Sequence, residues 1–277
     1  MLHSSKSRAR SAAGVAALAV LMVVSGGGCG GSSGPALGTA AATLNSSNVA
    51  TFAGFVNLAT IGGATTRVGP TLNVTAAPGT LQDLGCVGVG GGPATFVVAP
   101  PSGGNVTGNA TYSNFDRCVG LRLNGTAGVT GTLNGTTNVD VFSLTPTGFT
   151  YTRTGNGDVF RASGTLALRW KPSVQGSAGY FMTIDATVSD SNQSALFRLD
   201  NFQIDSDVTA GVENVLISGR LTTVDGFVDI SSGSRLDLPS PSSGLGPGSL
   251  TMVGATQIAT VNYAGNGIST VTIAPKP

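Results

Sequence analysis

Apolar and polar side chains alternate at every second residue along most of this chain, and that period leaves few folds open. From Tyr180 one register carries Tyr180, Met182, Ile184, Ala186 and Val188, while the other carries Phe181, Thr183, Asp185, Thr187 and Ser189. From Phe160 the apolar register runs through Ala162, Gly164, Leu166, Leu168 and Trp170, against Arg161, Ser163, Thr165, Ala167 and Arg169. Val106, Gly108, Ala110 and Tyr112 repeat the pattern, as do Val215, Ile217 and Leu221 with Gly219 between them. Successive side chains of a strand point to opposite faces, so each run is a strand with one face to hide.

Turn signals separate the runs. Asn124-Gly125, Asn134-Gly135, Asn156-Gly157, Asp225-Gly226 and Asn266-Gly267 all suit tight hairpins that need φ > 0. Val224-Asp225-Gly226-Phe227 reads as the cleanest two-residue hairpin. Leu123-Asn124-Gly125-Thr126 recurs as Leu133-Asn134-Gly135-Thr136, which a meander of hairpins explains. Charged residues are only 10% of the chain and glycines number 42, which again favours strands and turns. The expected fold is all-β: an antiparallel meander of about a dozen strands, closed against its own apolar face as a sandwich or a curled barrel. No long amphipathic helix is expected beyond the first thirty residues. Aromatics at 6% form no paired girdles, which argues against an outer-membrane barrel.

The N-terminus has a different character. Lys6, Arg8 and Arg10 precede an apolar run from Ser11 to Val24, the layout of an export signal. The run is too short to cross a hydrocarbon layer of ~30 Å as a helix. Ser25-Gly26-Gly27-Gly28-Cys29-Gly30 follows, and a cysteine among small residues just past such a run resembles the lipobox of bacterial lipoproteins. Gly28 fits the pattern, whereas Gly26 stands where that family usually has an aliphatic residue. The resemblance implies cleavage before Cys29, acyl chains such as palmitate on Cys29, and attachment to a membrane. Gly30, rather than Asp, after the cysteine points to the outer membrane. The expected organisation is a signal over 1–28, a lipid-anchored flexible tether over 29–50, and a β domain over 51–277. Within that domain a Pro/Ser/Gly loop is expected over 237–249 and a C-terminal hairpin over 250–273.

Cys86 and Cys118 remain, and in an exported chain an isolated pair reads as a disulfide. Closing that loop would add ~3–4 kcal/mol of stability in the chain-entropy view. Phe115-Asp116-Arg117-Cys118 followed by Leu123-Asn124-Gly125-Thr126, and the Pro-rich loop before Gly-rich terminal strands, are similar to a pattern in uncharacterised proteobacterial envelope lipoproteins. That resemblance implies the same address and fold and carries no activity with it.

The chemistry is limited by what is missing. The only histidine, His3, lies in the expected signal, so the mature chain would hold no Ser-His-Asp triad, no Cys-His pair and no His-ligated metal. Removing Lys6, Arg8 and Arg10 from the 14 basic residues leaves 11 against 13 acidic ones, and no basic stripe suggests nucleic acid. No cofactor is expected. Asp200, Asp205 and Asp207 form a weak candidate Ca²⁺ cluster or, more simply, a polar strand end. Trp170 and Tyr180 flank a turn and either stack on a sugar or pack in the core. Three roles stay open: a non-catalytic structural or interaction lipoprotein partnering another envelope protein, a carrier of lipid or another apolar ligand on the inner sheet face, and a carboxylate enzyme acting on glycans. The small inward residues Ala162, Gly164, Ala186 and Gly219 are compatible with the carrier.

Overall fold

The computed structural model describes residues 35–66, 79–83, 91–99, 102–117, 119–134, 138–171, 179–209, 212–238, 245–264 and 268–277. Cys29, Cys86 and Cys118 all lie outside these residues, as does the whole expected signal. The chain divides after Gly30 into two units, and the buried apolar cluster of the described residues lies in the second, Gly31–Pro277. Residues 31–277 are thus a compact unit by themselves, built around that cluster.

The all-β expectation holds. Among the described residues there are fourteen strands: β1 (Gly79–Asp83), β2 (Ala94–Val98), β3 (Asn105–Asp116), β4 (Leu121–Asn134), β5 (Asn138–Arg153), β6 (Val159–Trp170) and β7 (Tyr180–Ser189), then β8 (Ala195–Thr209), β9 (Val212–Thr223), β10 (Gly226–Ser232), β11 (Leu236–Leu238), β12 (Gly248–Val253), β13 (Gln257–Tyr263) and β14 (Ile268–Pro275). Thirteen form one antiparallel meander in chain order, and β11 pairs with β9 off that path. Among the described residues the sheet is one layer that neither splits in two nor closes, so of the two expected forms it is the curled one, left open, and not the sandwich.

One helix replaces the missing layer. α1 (Ser46–Thr66) buries Val49, Phe52, Ala53, Phe55, Val56, Leu58, Ile61 and Ala64, which covers every side of its axis. A helix apolar all round must be enclosed, and here the curled sheet encloses it. Phe55 stacks on Phe197 of β8 at 4.6 Å, and the Tyr112 hydroxyl of β3 donates to the Thr66 carbonyl at 3.0 Å. Thr60 and Thr65 donate their hydroxyls to the carbonyls of Val56 and Ile61, hiding their polar ends within the helix. Asn45 caps the N-terminus: its side-chain oxygen accepts from the amides of Ser47 and Asn48, and Asn48 accepts from the Asn45 amide in return.

This helix bears on two expectations. It lies beyond the expected signal, in a stretch where only an amphipathic helix was ruled out, a description this all-round apolar helix escapes, and it begins inside the stretch assigned to the tether. The tether reading over 29–50 also fails from Gly38 onward. The Gly38 amide donates to the Thr223 carbonyl, Ala42 and Phe227 bond one another's neighbourhood in both directions, and Leu44 is buried. Gly38 crosses Gly226 so closely that a Cβ on Gly38 would lie 2.6 Å from the Gly226 nitrogen. Composition alone could not distinguish a small-residue tether from a small-residue crossing.

Curling is built into the strands along a crease. Registers shift in β3–β4 between Tyr112 and Phe115, in β4–β5 between Asn124 and Thr126, in β5–β6 between Leu144 and Phe149, in β7–β8 between Ile184 and Ala186, and in β8–β9 between Asp200 and Gln203. Positive φ angles mark the same line, at Asn114, Gly125, Gly148, Gly164, Asn201 and Gly219. Side chains stitch it: the Asn114 amide donates to the Asn124 side chain at 2.8 Å, and the Asn201 amide donates to Asp185 Oδ1 at 2.6 Å. Bulges bend a strand and raise its local twist, so bulges aligned across several strands turn a flat sheet into a trough.

The crease also corrects the reading of Asn124-Gly125. That pair sits inside β4 as a bulge, whereas its copy Asn134 ends the strand opposite Asn138. The Asp225 hairpin forms one residue earlier than expected, with Thr223 paired to Gly226 around Val224-Asp225. The terminal hairpin is β13–β14, and β12 joins the expected loop's last residues to the sheet through Gly248 and Ser249.

Candidate functional site

The registers read from sequence place the core correctly. Tyr180, Met182, Ile184 and Val188 are buried on the inner face of β7, as are Phe160, Leu166 and Leu168 on β6. Two of the expected small inward residues, Ala162 and Ala186, are only half buried although they face inward. They leave space because α1 presents Ala59, Gly62 and Gly63 to this part of the sheet, and Gly62 has no side chain to reach Tyr151.

The result is an apolar cleft between α1 and β4–β8. Leu58 and Ala59 line it from the helix, and Leu121, Phe149, Tyr151, Phe160, Ala162, Ile184, Ala186, Val188, Phe197 and Leu199 line it from the sheet. It holds about 540 Å³ of empty space counting its mouth, and the centre of a water molecule could range over about 50 Å³ of it. One water needs ~10–15 Å³ by that measure and two to four polar partners, so the space is adequate but the chemistry is wrong for water. Thr165 is the one lining residue with a side-chain hydroxyl besides Tyr151. The Tyr151 hydroxyl is turned to Thr66, and burial holds its pKa well above the ordinary tyrosine value.

Gly164 and Gly219 do not line this space. They stand in the crease, where φ is +140° and +129°. A Cβ on Gly219 would lie 2.5 Å from the Asn201 carbonyl oxygen, so glycine there answers to backbone geometry rather than to ligand room.

The acidic candidates are taken up by cations of the chain. Lys171 bonds both Asp205 and Asp207, the latter at 2.6 Å, and Arg235 bonds Asp207 with Asp205 at 3.7 Å. Asp200 pairs with Arg198 at 2.9 Å instead. A lysine ammonium and an arginine guanidinium at the Asp205 and Asp207 oxygens oppose a bound Ca²⁺, and no group of three or more metal-ligating side chains occurs among the described residues. Asp205 and Asp207 thus share the cations Lys171 and Arg235 near the end of β8, while Asp200 lies mid-strand beside Arg198.

Tyr180 takes the core alternative, fully buried, while the side chain of Trp170 lies outside what is described. The exposed aromatic beside that turn is Phe181, with Lys171 Nζ 4.5 Å above its ring. The Tyr180 hydroxyl donates to Glu213, as does Ser206 at 3.0 Å, giving a buried polar cluster around the only glutamate of the chain. The alternation of Glu213 with Val215 and Ile217 was the available signal for this inward carboxyl. No known protein family, curated protein or solved structure matches this chain.

Proposed function

We propose that this chain is an exported lipoprotein of the bacterial envelope, anchored through Cys29, whose trough-shaped sheet binds an apolar molecule in the cleft beside α1. The reading is non-catalytic. The observation that carries it is the cleft itself: an open crevice walled by aliphatic and aromatic side chains, left unfilled by Gly62, Ala162 and Ala186. An unfilled apolar crevice forgoes dispersion contacts on its walls and lacks partners for water, so a chain-like apolar occupant is the natural complement. The export-type N-terminus supports the address, with the outer membrane as the destination and a Cys86–Cys118 disulfide suited to an oxidising compartment.

The test uses residues 31–277 and calorimetric titration with saturated fatty alcohols of rising chain length. Binding with a negative heat-capacity change is expected. Ala162→Phe and Ala186→Phe, which fill the cleft, weaken it while the fold persists. No heat with any chain length, or equal binding by the filled variants, removes the carrier role. Metabolic acyl labelling of the whole chain and of Cys29→Ser tests the anchor, and labelling that survives the substitution refutes it.

A further inference from the structure

We propose that β14 is a pairing edge on which two copies of this chain join, antiparallel and two-fold symmetric, so that the sheet continues from one copy into the next. This does not depend on the cleft. β14 is the last strand of the meander: β13 pairs with one side of it, and no described strand pairs with the other. That side offers a row of unpaired backbone donors and acceptors. Such edges are usually blunted with lysine, proline, a central bulge or an inward charge. Residues 268–274 read Ile-Ser-Thr-Val-Thr-Ile-Ala and contain none of the side-chain devices. The one register shift lies between Asn262 and Tyr263, at the strand's start, and Pro275 stands at its end.

A second observation is the face these residues present. Val271 pairs with Val261 and Ile273 with Ala259, both fully buried, so Val271 and Ile273 stand on the core side of the sheet. Val271 is nevertheless 38% exposed. The apolar face runs on past the last strand, and another strand alongside would cover it.

The sequence of β14 complements itself. In a two-fold antiparallel pair, opposed residues share a face only when a residue sits on the axis. With Thr272 on the axis, Val271 meets Ile273 of the second copy, and Ile273 meets its Val271. Thr270 then meets Ala274, and no charge opposes a like charge, because the Lys276 of each copy lies at opposite ends. Cross-strand pairs of β-branched residues are favourable in this geometry. A second copy thus supplies a matching face in register with no like charges opposed.

Sedimentation velocity on residues 31–277 over a concentration series tests the proposal, together with hydrogen exchange of the β14 amides. A reversible dimer is expected, with β14 exchange slowing as concentration rises. Thr272→Lys, on the exposed outer face, sets two ammonium groups across the axis and weakens the dimer by roughly tenfold or more. Ser231→Lys, exposed on the outer face of β10, leaves it unchanged. A monomer at every attainable concentration overturns the proposal, and so does a dimer indifferent to Thr272→Lys. Should that variant unfold, exchange in the unaltered chain decides: protection of β14 that ignores concentration overturns it equally.

Discussion

The hydroxyl of Tyr180 donates to Oε1 of Glu213 at 2.8 Å, joining the start of β7 to the start of β9 inside the core. Both residues are buried, and Ser206 on the intervening strand donates to the same oxygen. Deleting a donor to a buried carboxyl leaves part of its hydrogen-bonding capacity unmet, whereas the ring packing survives in phenylalanine. Tyr180→Phe is expected to lower stability by about 1–3 kcal/mol in urea denaturation, the cost of leaving a buried acceptor short of a donor. A change below about 0.5 kcal/mol would mean that the other partners of Glu213 hold it without the tyrosine.

Tyr263 presents the opposite case. Its hydroxyl is buried and has no hydrogen-bond partner among the described residues. Tyr263→Phe removes an unsatisfied group and should stabilise the protein by ~1 kcal/mol. Burial also raises the pKa of Tyr263 and of Tyr151 above the ordinary tyrosine value. The folded protein therefore keeps these protons at a pH where the unfolded chain loses them. Stability is intact below about pH 10 and falls as pH climbs beyond it, on the order of 1 kcal/mol per pH unit for each group. Alkaline titration followed by circular dichroism should show this fall, and Tyr263→Phe should make it shallower. An unchanged alkaline limb in that variant would contradict the assignment.

Two glycines that look alike in sequence have opposite sensitivities. A Cβ on Gly62 would meet the Tyr151 ring at 3.7 Å, an ordinary contact, and alanine favours the helix. Gly62→Ala should stabilise by ~0.5–1 kcal/mol. Gly219 holds φ at +129° with the Asn201 carbonyl in the way of any Cβ. Gly219→Ala should destabilise by ~1–3 kcal/mol and loosen the crease. Thermal melts of the two variants test the pair, and shifts of the same sign would refute the distinction.

The strands were legible because each hides one face, and the two-residue period survives even where glycine or alanine replaces a larger residue, as at Ala162. The helix was not legible because α1 hides every face: Phe52, Phe55, Val56, Leu58 and Ile61 leave no polar stripe to reveal its period. Asn45 and Asn48 were the one local trace of it, a reciprocal cap at the right spacing. The crease was hidden for a different reason. Asn124-Gly125 and Asn134-Gly135 carry the same local signal, and only pairing with Asn114 and Gly148 makes the first a bulge. The cleft was partly foreseen, since Ala162 and Ala186 were read as small inward residues, but its other wall belongs to the unforeseen helix.

The most direct test of the account is the mass of the chain released from its own envelope and measured without denaturing it. The unaltered protein is predicted to carry, beyond any covalent acyl mass, a dissociable apolar molecule that is absent from Ala162→Phe. Identical bare masses for the two proteins, both folded, would contradict the carrier reading.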